Sequence, residues 1–488
     1  MTELQHAAKA TRPRIQPAEE GDRRPLSVSA RLGRLQFHQS GKFRVLQFAD
    51  IQDGPKVSKD TISLIEASLD ATRPDLVIFN GNQIAGYDSA YALTSRKRRW
   101  DARPASASSE ASGERYAAAL EHTRELVRAT IEQLVHPLAD RGVPWAVTFG
   151  NHDFQCGLDN DEIESICREF PGCINPERAA DGTTGIAVKH GVKHDVGDME
   201  QDFGLPEQPV IACAPGTFAL SVTDVDRTYD VLGLVLLDSG DYARSGGYGS
   251  PSEAALRFLA DAPGLMAAQS QQLQQDRQDD EQDSPREPRK TPSTLPCMVF
   301  QHFPIEQYYR LLKPVAATAA RAIEGYRNFA GRHFVLNEDK TQPGSYLGEG
   351  VSCPDADSGE FAILDKAGYF AISAGHDHRN AFVGSVPVGT DGDRQMMMVA
   401  SPTSGFGSYG PVPAKRAARL FEFDIRHPYE PRTQLLEYDE LVGKPSAGKA
   451  YAYGMTSESK PDSEGMDLLH RPTWWSKTWN KLVSLFRR

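Results

Sequence analysis

Residues 147–153 read V-T-F-G-N-H-D, and residues 370–378 read F-A-I-S-A-G-H-D-H. In each stretch an apolar run of strand length ends near a glycine, and polar side chains follow at once. Ligands of α/β proteins bind beyond the carboxyl ends of the strands. We therefore expect Asn151, His376 and His378 to meet at one site, with His152 beside them.

Three further apolar segments end in the same kind of residue. The side chains that follow them are Asp50, Gln52, Asn82 and His302. Carboxylate, amide oxygen and imidazole are all ligands of divalent ions, and two such ions can activate water and clamp a phosphoryl group. Asp50 and Asn82 also suit ordinary turns, which is the alternative interpretation. Five such strand ends in one chain favour a metal site.

The order of elements predicts an α/β core. Strand 43–48 is followed by a segment with helical spacing that stops at Pro74, and strand 75–79 comes next. An amphipathic segment over 116–138 then leads to a strand over 144–149. This alternation indicates a sheet that begins with parallel strands.

Composition divides the chain into regions. At 488 residues it is long for one compact domain, so one large domain with insertions and two domains are both compatible with its length. We predict a disordered N-terminus (1–30), a main domain (31–440) with insertions near 96–114 and 268–295, a flexible linker (441–472) and a C-terminal helix (473–488).

Charge and cysteine content narrow the class of protein. The formal net charge is −12, which disfavours a nucleic-acid partner because a phosphate backbone attracts a basic surface. The six cysteines include no C-x-x-C pair, so we expect reduced buried thiols rather than disulfides or a zinc site. The first residues contain no apolar run, and we expect a cytoplasmic protein without a signal peptide or a membrane span.

The polar strand ends resemble the motifs of the calcineurin-like metallophosphoesterases. F-A-D-I-Q (48–52), N-G-N (80–82), G-N-H-D (150–153), Q-H-F-P (301–304) and G-H-D-H (375–378) follow the order of the family's D-x-H, G-D-x-x, G-N-H-D/E, lone His and G-H-x-H motifs. L-D-S-G-D-Y (237–242) and G-H-D-H-R-N (375–380) look like the branch of purple-acid-phosphatase-29-type proteins. The resemblance covers about residues 43–425.

This resemblance implies a four-layer α/β/β/α sandwich that hydrolyses a phosphate mono- or diester with metal-activated water. One or two divalent ions (Mn, Zn, Fe or Mg) are implied as cofactors. The implied ligands are Asp50, Gln52 and His378 for the first ion, Asn151, His302 and His376 for the second, and Asn82 as the bridge. His152 is the implied proton donor or charge stabiliser, oriented by Asp153.

Two positions depart from the family pattern. Gln52 stands where the family has His, and Asn82 stands where it has a bridging Asp. A neutral amide offers one good oxygen and no charge. We therefore expect a strong second site beside a weak or empty first one, with Asp53 as a candidate replacement carboxylate.

Two auxiliary residues and the C-terminal tail have alternative interpretations. Asp238 belongs to the site periphery or caps a turn, and Arg379 pairs with a substrate phosphate or is a surface residue.

Residues 473–488 place aromatic and aliphatic side chains on one face of a helix and cationic side chains on the other. That pattern predicts binding to an anionic membrane surface, at the inner face of the membrane. Docking on the protein's own domain or on a partner is the alternative.

Three functions are consistent with the sequence. The chain is an active phosphoesterase, a binding or scaffold protein of the same fold, or a protein whose main role lies in its membrane-binding tail. Gln52 and Asn82 favour the second. Retention of His152 with Asp153 favours the first, because that pair serves chemistry, and an active enzyme is our prediction.

Overall fold

A computed structural model describes residues 24–101, 110–177, 185–188, 203–280, 292–446 and 457–458. Its strands are β1 (Lys42–Phe48), β2 (Leu76–Asn80), β3 (Trp145–Thr148), β4 (Gly185–Val188), β5 (Pro209–Ala214), β6 (Thr217–Thr223), β7 (Asp230–Leu237), β8 (Cys297–Gln301), β9 (Leu312–Val315), β10 (Ile323–Glu324), β11 (His333–Leu336), β12 (Tyr346–Leu347), β13 (Tyr369–Ala374), β14 (Phe382–Val388), β15 (Arg394–Ala400), β16 (Ala417–Asp424), β17 (His427–Glu437) and β18 (Ser457–Glu458). Its α-helices are α1 (Val28–Leu32), α2 (Lys59–Thr72), α3 (Glu110–Arg141), α4 (Asn160–Arg168), α5 (Glu253–Asp280), α6 (Glu360–Ala367) and α7 (Tyr438–Val442).

Two sheets form the centre of the molecule. One has five strands in the order β17-β16-β1-β2-β3, and the other has eight in the order β14-β15-β13-β8-β7-β6-β5-β4. Strands β1, β2 and β3 are parallel to one another, and so are β7, β8 and β13. The five-stranded sheet therefore gathers the carboxyl ends of three parallel strands at one edge. The eight-stranded sheet gathers those of four, because β15 is also parallel to β13.

Alternating side chains of the same strand build different cores. In β1, Val45 belongs to the core between the two sheets, to which the other sheet contributes Phe218 and Met298. Its neighbour Leu46 belongs to the core under α2 and α3, because successive strand residues point to opposite faces. A third core lies between the eight-stranded sheet and α5 with α6. The layers are thus helix, sheet, sheet and helix, which confirms the predicted α/β/β/α sandwich.

Two predicted boundaries require correction. The N-terminal region 1–30 was predicted to be disordered, but residues 24–30 are described, and Leu26 and Ala30 are buried. Within the predicted insertion 268–295, residues 268–280 continue helix α5. Gln, Asp and Arg sustain a helix without an apolar stripe, so periodicity did not reveal it. Residues 281–291, and residues 102–109 of the predicted insertion 96–114, lie outside the described residues.

None of the six cysteines, all of which lie in the described residues, forms a disulfide. Five of them are buried, as predicted for reduced thiols. Across the described ranges, no helix combines the length and the apolar character that crossing a bilayer requires. Apart from Ser457–Glu458, the linker beyond residue 446 and the tail 473–488 lie outside these ranges.

Candidate functional site

The backbone at the predicted ligand positions is strained. Asp50, Gln52, Asn82 and His376 have φ values of 51°, 49°, 54° and 70°. This left-handed conformation is uncommon for residues other than glycine and costs on the order of 1 kcal/mol at each. Such strain persists where the surrounding structure enforces it, and it concentrates at functional sites. Here it turns the chain sharply after β1, β2 and β13, so that the side chains face one centre.

Asp50 lies at the middle of this centre and is fully buried. Its Oδ1 lies 3.3 Å from His378 Nε2 and 3.7 Å from His302 Nε2, while its Oδ2 accepts the backbone N–H of His376 at 2.7 Å. Burial acts to raise the pKa of Asp50, but the facing rings of His302 and His378 hold it well below its usual value. Asp50 is therefore an anion that the surrounding side chains must neutralise.

Asn82 turns its amide nitrogen, not its oxygen, toward that centre. Nδ2 lies 3.2 Å from Asp50 Oδ1, 3.2 Å from Asn151 Oδ1 and 2.9 Å from His302 Nε2. The oxygen Oδ1 accepts the backbone N–H of His152 at 2.9 Å. A backbone N–H can only donate, so the atom that faces it must be the oxygen, and the NH₂ group must face the predicted ligands.

Close packing holds the amide in this orientation. A Cβ added to Gly150 would lie 2.2 Å from Asn82 Oδ1, so only glycine leaves room for that oxygen. Asn82 itself is fully buried. Turning the amide over would face its NH₂ group against the His152 N–H. A buried donor left without an acceptor costs about 1–3 kcal/mol.

His302 presents a lone pair to the same point. Its Nδ1 lies 3.2 Å from the carbonyl oxygen of Asn80, an atom that can only accept, so Nδ1 carries the proton. Nε2 of the neutral ring is then the acceptor for Asn82 Nδ2. Burial lowers the pKa of His302, although the Asp50 carboxylate acts against this shift. Asn151 contributes its Oδ1 to the same NH₂ group, while its Nδ2 donates to the hydroxyl of Tyr242 at 2.7 Å.

His378 and Gln52 lie on the other side of Asp50. His378 Nδ1 lies 2.7 Å from the carbonyl oxygen of Tyr409, which turns Nε2 toward Asp50. Burial alone would lower the pKa of His378, but Asp50, together with Glu349 and the Tyr409 carbonyl, more than offsets this and raises it. Gln52 is held differently, since its Oε1 accepts the hydroxyl of Ser408 at 2.9 Å.

His376 lies against aromatic rings. Its ring centroid is 4.3 Å from that of Tyr248, 4.8 Å from that of Phe303 and 5.1 Å from that of His302. Burial, reinforced by the nearby His302, lowers the pKa of His376 well below its usual value. This imidazole is therefore neutral.

The predicted pairing of His152 with Asp153 is wrong. His152 Nδ1 lies 2.7 Å from Gln155 Oε1, so Gln155 orients the ring. Asp153 instead accepts four backbone N–H groups, those of residues 82, 83, 84 and 150, at 2.7–3.2 Å. It joins the loop after β2 to the loop after β3. Burial raises the pKa of Asp153 to about 7, although the four donors act against this shift.

The role predicted for His152 also changes with this geometry. Gln155 Oε1 can only accept, so Nδ1 of His152 carries the proton and Nε2 is left with a lone pair. Burial lowers the pKa of His152 to about 4. At neutral pH the ring therefore has no proton at Nε2 to donate to a leaving group.

The auxiliary residues make structural contacts. The Asp53 carboxylate accepts from Ser58 N, Thr61 Oγ1 and Gly407 N at 2.7–3.0 Å, which fixes the start of α2 and the loop after β15. Both of its oxygens are engaged, so it is not poised to replace a ligand. Asp238 forms a two-pronged ion pair with Arg99 at 2.7 and 3.0 Å. The backbone N–H of Arg379 donates to Glu349 Oε1 at 2.9 Å, and its guanidinium lies in the field of the same carboxylate.

A two-ion centre does not fit this set of side chains. In the described part of the chain, no three His, Cys, Asp or Glu side chains are grouped so that they could hold one ion together. At the bridging position the atom offered is a hydrogen-bond donor, and it contacts two of the ligands predicted for the second ion. The geometry therefore argues against a strong second site. Asp50 and His378, with the Gln52 oxygen, remain as an incomplete first set.

Comparison with known families agrees with this architecture. Residues 43–211 match the model of the calcineurin-like phosphoesterases, a span that runs from β1 into β5 and includes the first three polar strand ends. The chain is therefore similar to the calcineurin-like phosphoesterases over this part of its length. Hydrolysis of phosphate esters with divalent ions is typical of this family, and the sequence resemblance is confirmed.

The known proteins that this chain resembles are distant in sequence. The chain is 19% identical to probable inactive purple acid phosphatase 29 of Arabidopsis thaliana, over 94% of this chain and 92% of that protein. It is 22% identical to probable inactive purple acid phosphatase 28 of the same plant, over 80% and 77%. Phosphatase DCR2 of Saccharomyces cerevisiae is 21% identical over 74% of this chain and 47% of that protein.

Sequence reasoning missed the tyrosines around the centre. Tyr87 contacts the ring of His152, Tyr409 stacks on His378, and Tyr248 meets His376, with centroid separations of 5.0, 4.2 and 4.3 Å. Tyr242, the last residue of the L-D-S-G-D-Y motif, reaches Asn151 through its hydroxyl. Tyr87, Tyr248 and Tyr409 lie in glycine-rich loops, and that was the only signal in the sequence.

Proposed function

We propose that this protein binds a phosphate ester at the strand-end centre and does not hydrolyse it by a two-metal route. The observation that carries the proposal is the orientation of Asn82. A carboxylate at this position would offer anionic lone pairs to two shared ions, whereas the NH₂ group offers protons. Two divalent ions would lack the negative charge of a bridging carboxylate, which offsets their mutual repulsion. One of them would also face a hydrogen-bond donor in place of a ligand.

Two further observations support the proposal. Asp153 is retained for a reason unrelated to catalysis, because it accepts four backbone N–H groups. Its presence beside His152 therefore no longer favours an enzyme. Two of the relatives are named as probably inactive, and they are similar to this chain over most of its length.

Hydrolysis of chromogenic phosphate mono- and diesters tests the proposal directly. Wild-type protein is assayed with Mn, Zn, Mg, Fe and Co beside the double variant Gln52→His/Asn82→Asp. We expect wild-type turnover at least about 100-fold below the 1–1,000 s⁻¹ of ordinary enzymes, and faster turnover by the double variant. Wild-type turnover in the ordinary range, abolished by His152→Ala, would contradict the proposal.

An active phosphoesterase is the second candidate. The retained convergence of Asp50, Asn151, His302 and His378 favours it, since these side chains are ligand types at family positions. The assay above separates the two candidates.

For the tail we keep the proposal of a membrane contact, in a cytoplasmic protein at the inner face of the membrane. Residues 473–488 combine an aromatic face with a cationic one. Full-length protein should sediment with anionic liposomes but not with neutral ones, and a chain ending at residue 472 should not sediment with either. Equal sedimentation of the two chains would refute the membrane contact.

A further inference from the structure

A cavity of about 430 Å³ has the starts of helices α4 and α5 on its walls. Asn160 is the first residue of α4, and Ala255 lies in the first turn of α5. Asp238, from the loop after β7, lines a third side. Sites for small molecules are typically about 300–1,000 Å³ in volume, so the cavity has room for a small ligand.

The loop after β7 connects this cavity with the strand-end centre. Asp238, at the start of the loop, lines the cavity, whereas the hydroxyl of Tyr242, four residues further on, accepts a hydrogen bond from Asn151 Nδ2 at 2.7 Å. Among the described residues, the candidate metal ligands of the centre do not line the cavity. The cavity is therefore a space of its own beside the centre.

An ion pair fixes one wall of the cavity. Arg99 donates to both oxygens of Asp238, at 2.7 and 3.0 Å, and Asn160 Nδ2 donates to Asp238 Oδ2 at 2.9 Å. Two parallel N–H···O bonds hold a guanidinium and a carboxylate in a defined orientation. This wall is therefore formed before any ligand enters.

The charges around the cavity nearly cancel. Asp159, Asp161 and Asp238 contribute three carboxylates, while Arg99 and the Arg96 that pairs with Asp159 contribute two guanidinium groups. The N-termini of α4 and α5 oppose the remaining negative charge, because each helix N-terminus carries about half a positive elementary charge. A cation and an anion would both meet opposing charge here, whereas a neutral ligand would not.

Amide and hydroxyl groups of the wall suit a ligand that both donates and accepts hydrogen bonds. Asn160 is 9% exposed, and its Oδ1 has no hydrogen-bond partner among the described residues. A buried acceptor without a donor is unfavourable, and a ligand hydroxyl would supply the donor. Ser252 Oγ accepts the backbone N–H of Ala255 at 3.2 Å and keeps its own proton to donate, and Ser250 adds a second hydroxyl.

We infer that this cavity binds a small neutral polyhydroxyl compound of the size of one sugar ring. Each hydroxyl of such a compound both donates and accepts, which matches the Asn160 oxygen and the serine hydroxyls. Its C–H groups would pack on the apolar side chains of Ala214 and Pro215, which also line the cavity. The inference goes beyond the proposed function, since this ligand carries no phosphate and binds outside the centre.

Ligand-observed NMR titration at pH 6 with glucose, glucosamine and glucuronate tests the inference, because these sugars share one ring and differ in charge. We expect glucose to bind wild-type protein with a dissociation constant on the order of 1 mM. The cationic and the anionic sugar should each bind at least about 3-fold more weakly. Cyclohexanol, which has a ring of similar size but one hydroxyl, should show no binding.

Two variants act on the cavity itself. Asn160→Ala removes the acceptor and should weaken glucose binding at least about 3-fold, and Ala214→Trp should abolish it by filling the cavity. Asn328→Ala and Ala330→Trp are the matched controls, since both positions are exposed and lie outside the cavity wall. Thermal unfolding checks that all four variants fold.

Failure of glucose to bind folded wild-type protein would overturn the site, and so would binding that a folded Asn160→Ala or Ala214→Trp protein leaves unchanged. A loss as large in either control would overturn it as well. Glucosamine or glucuronate bound as tightly as glucose would overturn the preference for a neutral ligand, and cyclohexanol bound as tightly would overturn the need for several hydroxyls. The proposed function is tested separately, with phosphate esters.

Discussion

At the scale of single residues, the Asp50 carboxylate is surrounded by an amide donor and imidazole groups of the chain. Asp50 accepts a hydrogen bond from Asn82 Nδ2 and lies beside His378. Asn82 Nδ2 also contacts Asn151 and His302. An NH₂ group thus occupies the position at which a carboxylate would otherwise bridge two ions. The side chains of this centre are ordered by hydrogen bonds within the protein.

Asn82→Asp should make the unfolding free energy of the protein depend on bound metal. In the variant a carboxylate oxygen would lie near Asp50 Oδ1 and Asn151 Oδ1, where a donor now lies, so the metal-free protein should lose about 1–3 kcal/mol of unfolding free energy. Added Mn²⁺ should restore the loss. Thermal unfolding with EDTA or with Mn²⁺ measures both effects. Wild-type protein should respond little to either, and a variant as stable as wild type in EDTA would count against this account.

Asp153→Asn should act on stability. The replacement has one acceptor oxygen and an NH₂ group that would face N–H donors, so two of the four bonds are lost and about 2–4 kcal/mol of unfolding free energy with them. Urea unfolding at pH 8, where the carboxyl is charged, measures the loss. Asp391→Asn on an exposed loop is the control for charge. A loss below about 0.5 kcal/mol would refute the role of Asp153 as a joint between two loops.

Much of the residue pattern was predictable, because ligand types after strands can be read from the chain. Asp50, Asn151, His302 and His378 meet as predicted. The partners of Asp53, Asp153 and Asp238 were not predictable, since they are backbone groups, a hydroxyl and an arginine brought close only by the fold. The orientation of Asn82 depends on the N–H of His152, 70 residues away in sequence.

At the scale of elements, apolar runs in the sequence predicted the core strands, but they did not predict the polar end of helix α5 or the shortest strands. Helix α5 continues through a Gln- and Asp-rich stretch that has no apolar period. Strands β10 and β12 have two residues each, too few for any pattern to appear. Long apolar segments are decided locally, whereas short strands form only where a neighbour is already in place.

Helix α6 allows a test of pH dependence. Its first residue, Glu360, is 2% exposed, and burial raises the pKa of its carboxyl from 4.5 to about 7. A pKa raised by folding means that the stabilising contribution is complete below about pH 4.5 and is lost as the pH rises through about 7. Glu360→Gln should therefore gain stability over wild type from pH 5 to pH 8, by up to about 3 kcal/mol. Denaturant unfolding at both values checks this, with exposed Glu338→Gln as the control. A constant difference between variant and wild type would contradict it.

At the scale of the whole molecule, the sandwich brings two sets of strand ends together at one edge. The loops after β1, β2 and β3 supply Asp50, Gln52, Asn82 and Asn151. The loops after β8 and β13 supply His302, His376 and His378. Apolar segments alone indicated an α/β core, and the family resemblance added the second sheet and the four layers. The same scaffold supports hydrolysis or binding, because the difference lies in a few atoms at its edge.

The number of Mn²⁺ ions bound per chain, measured by equilibrium dialysis and metal analysis, shows whether Asn82 can bridge two ions. We expect fewer than two tightly bound ions in wild-type protein and a higher number in Gln52→His/Asn82→Asp. Two tightly bound ions in the wild-type chain would show that Asn82 does serve as a bridging ligand, and the proposed loss of the two-metal route would be wrong.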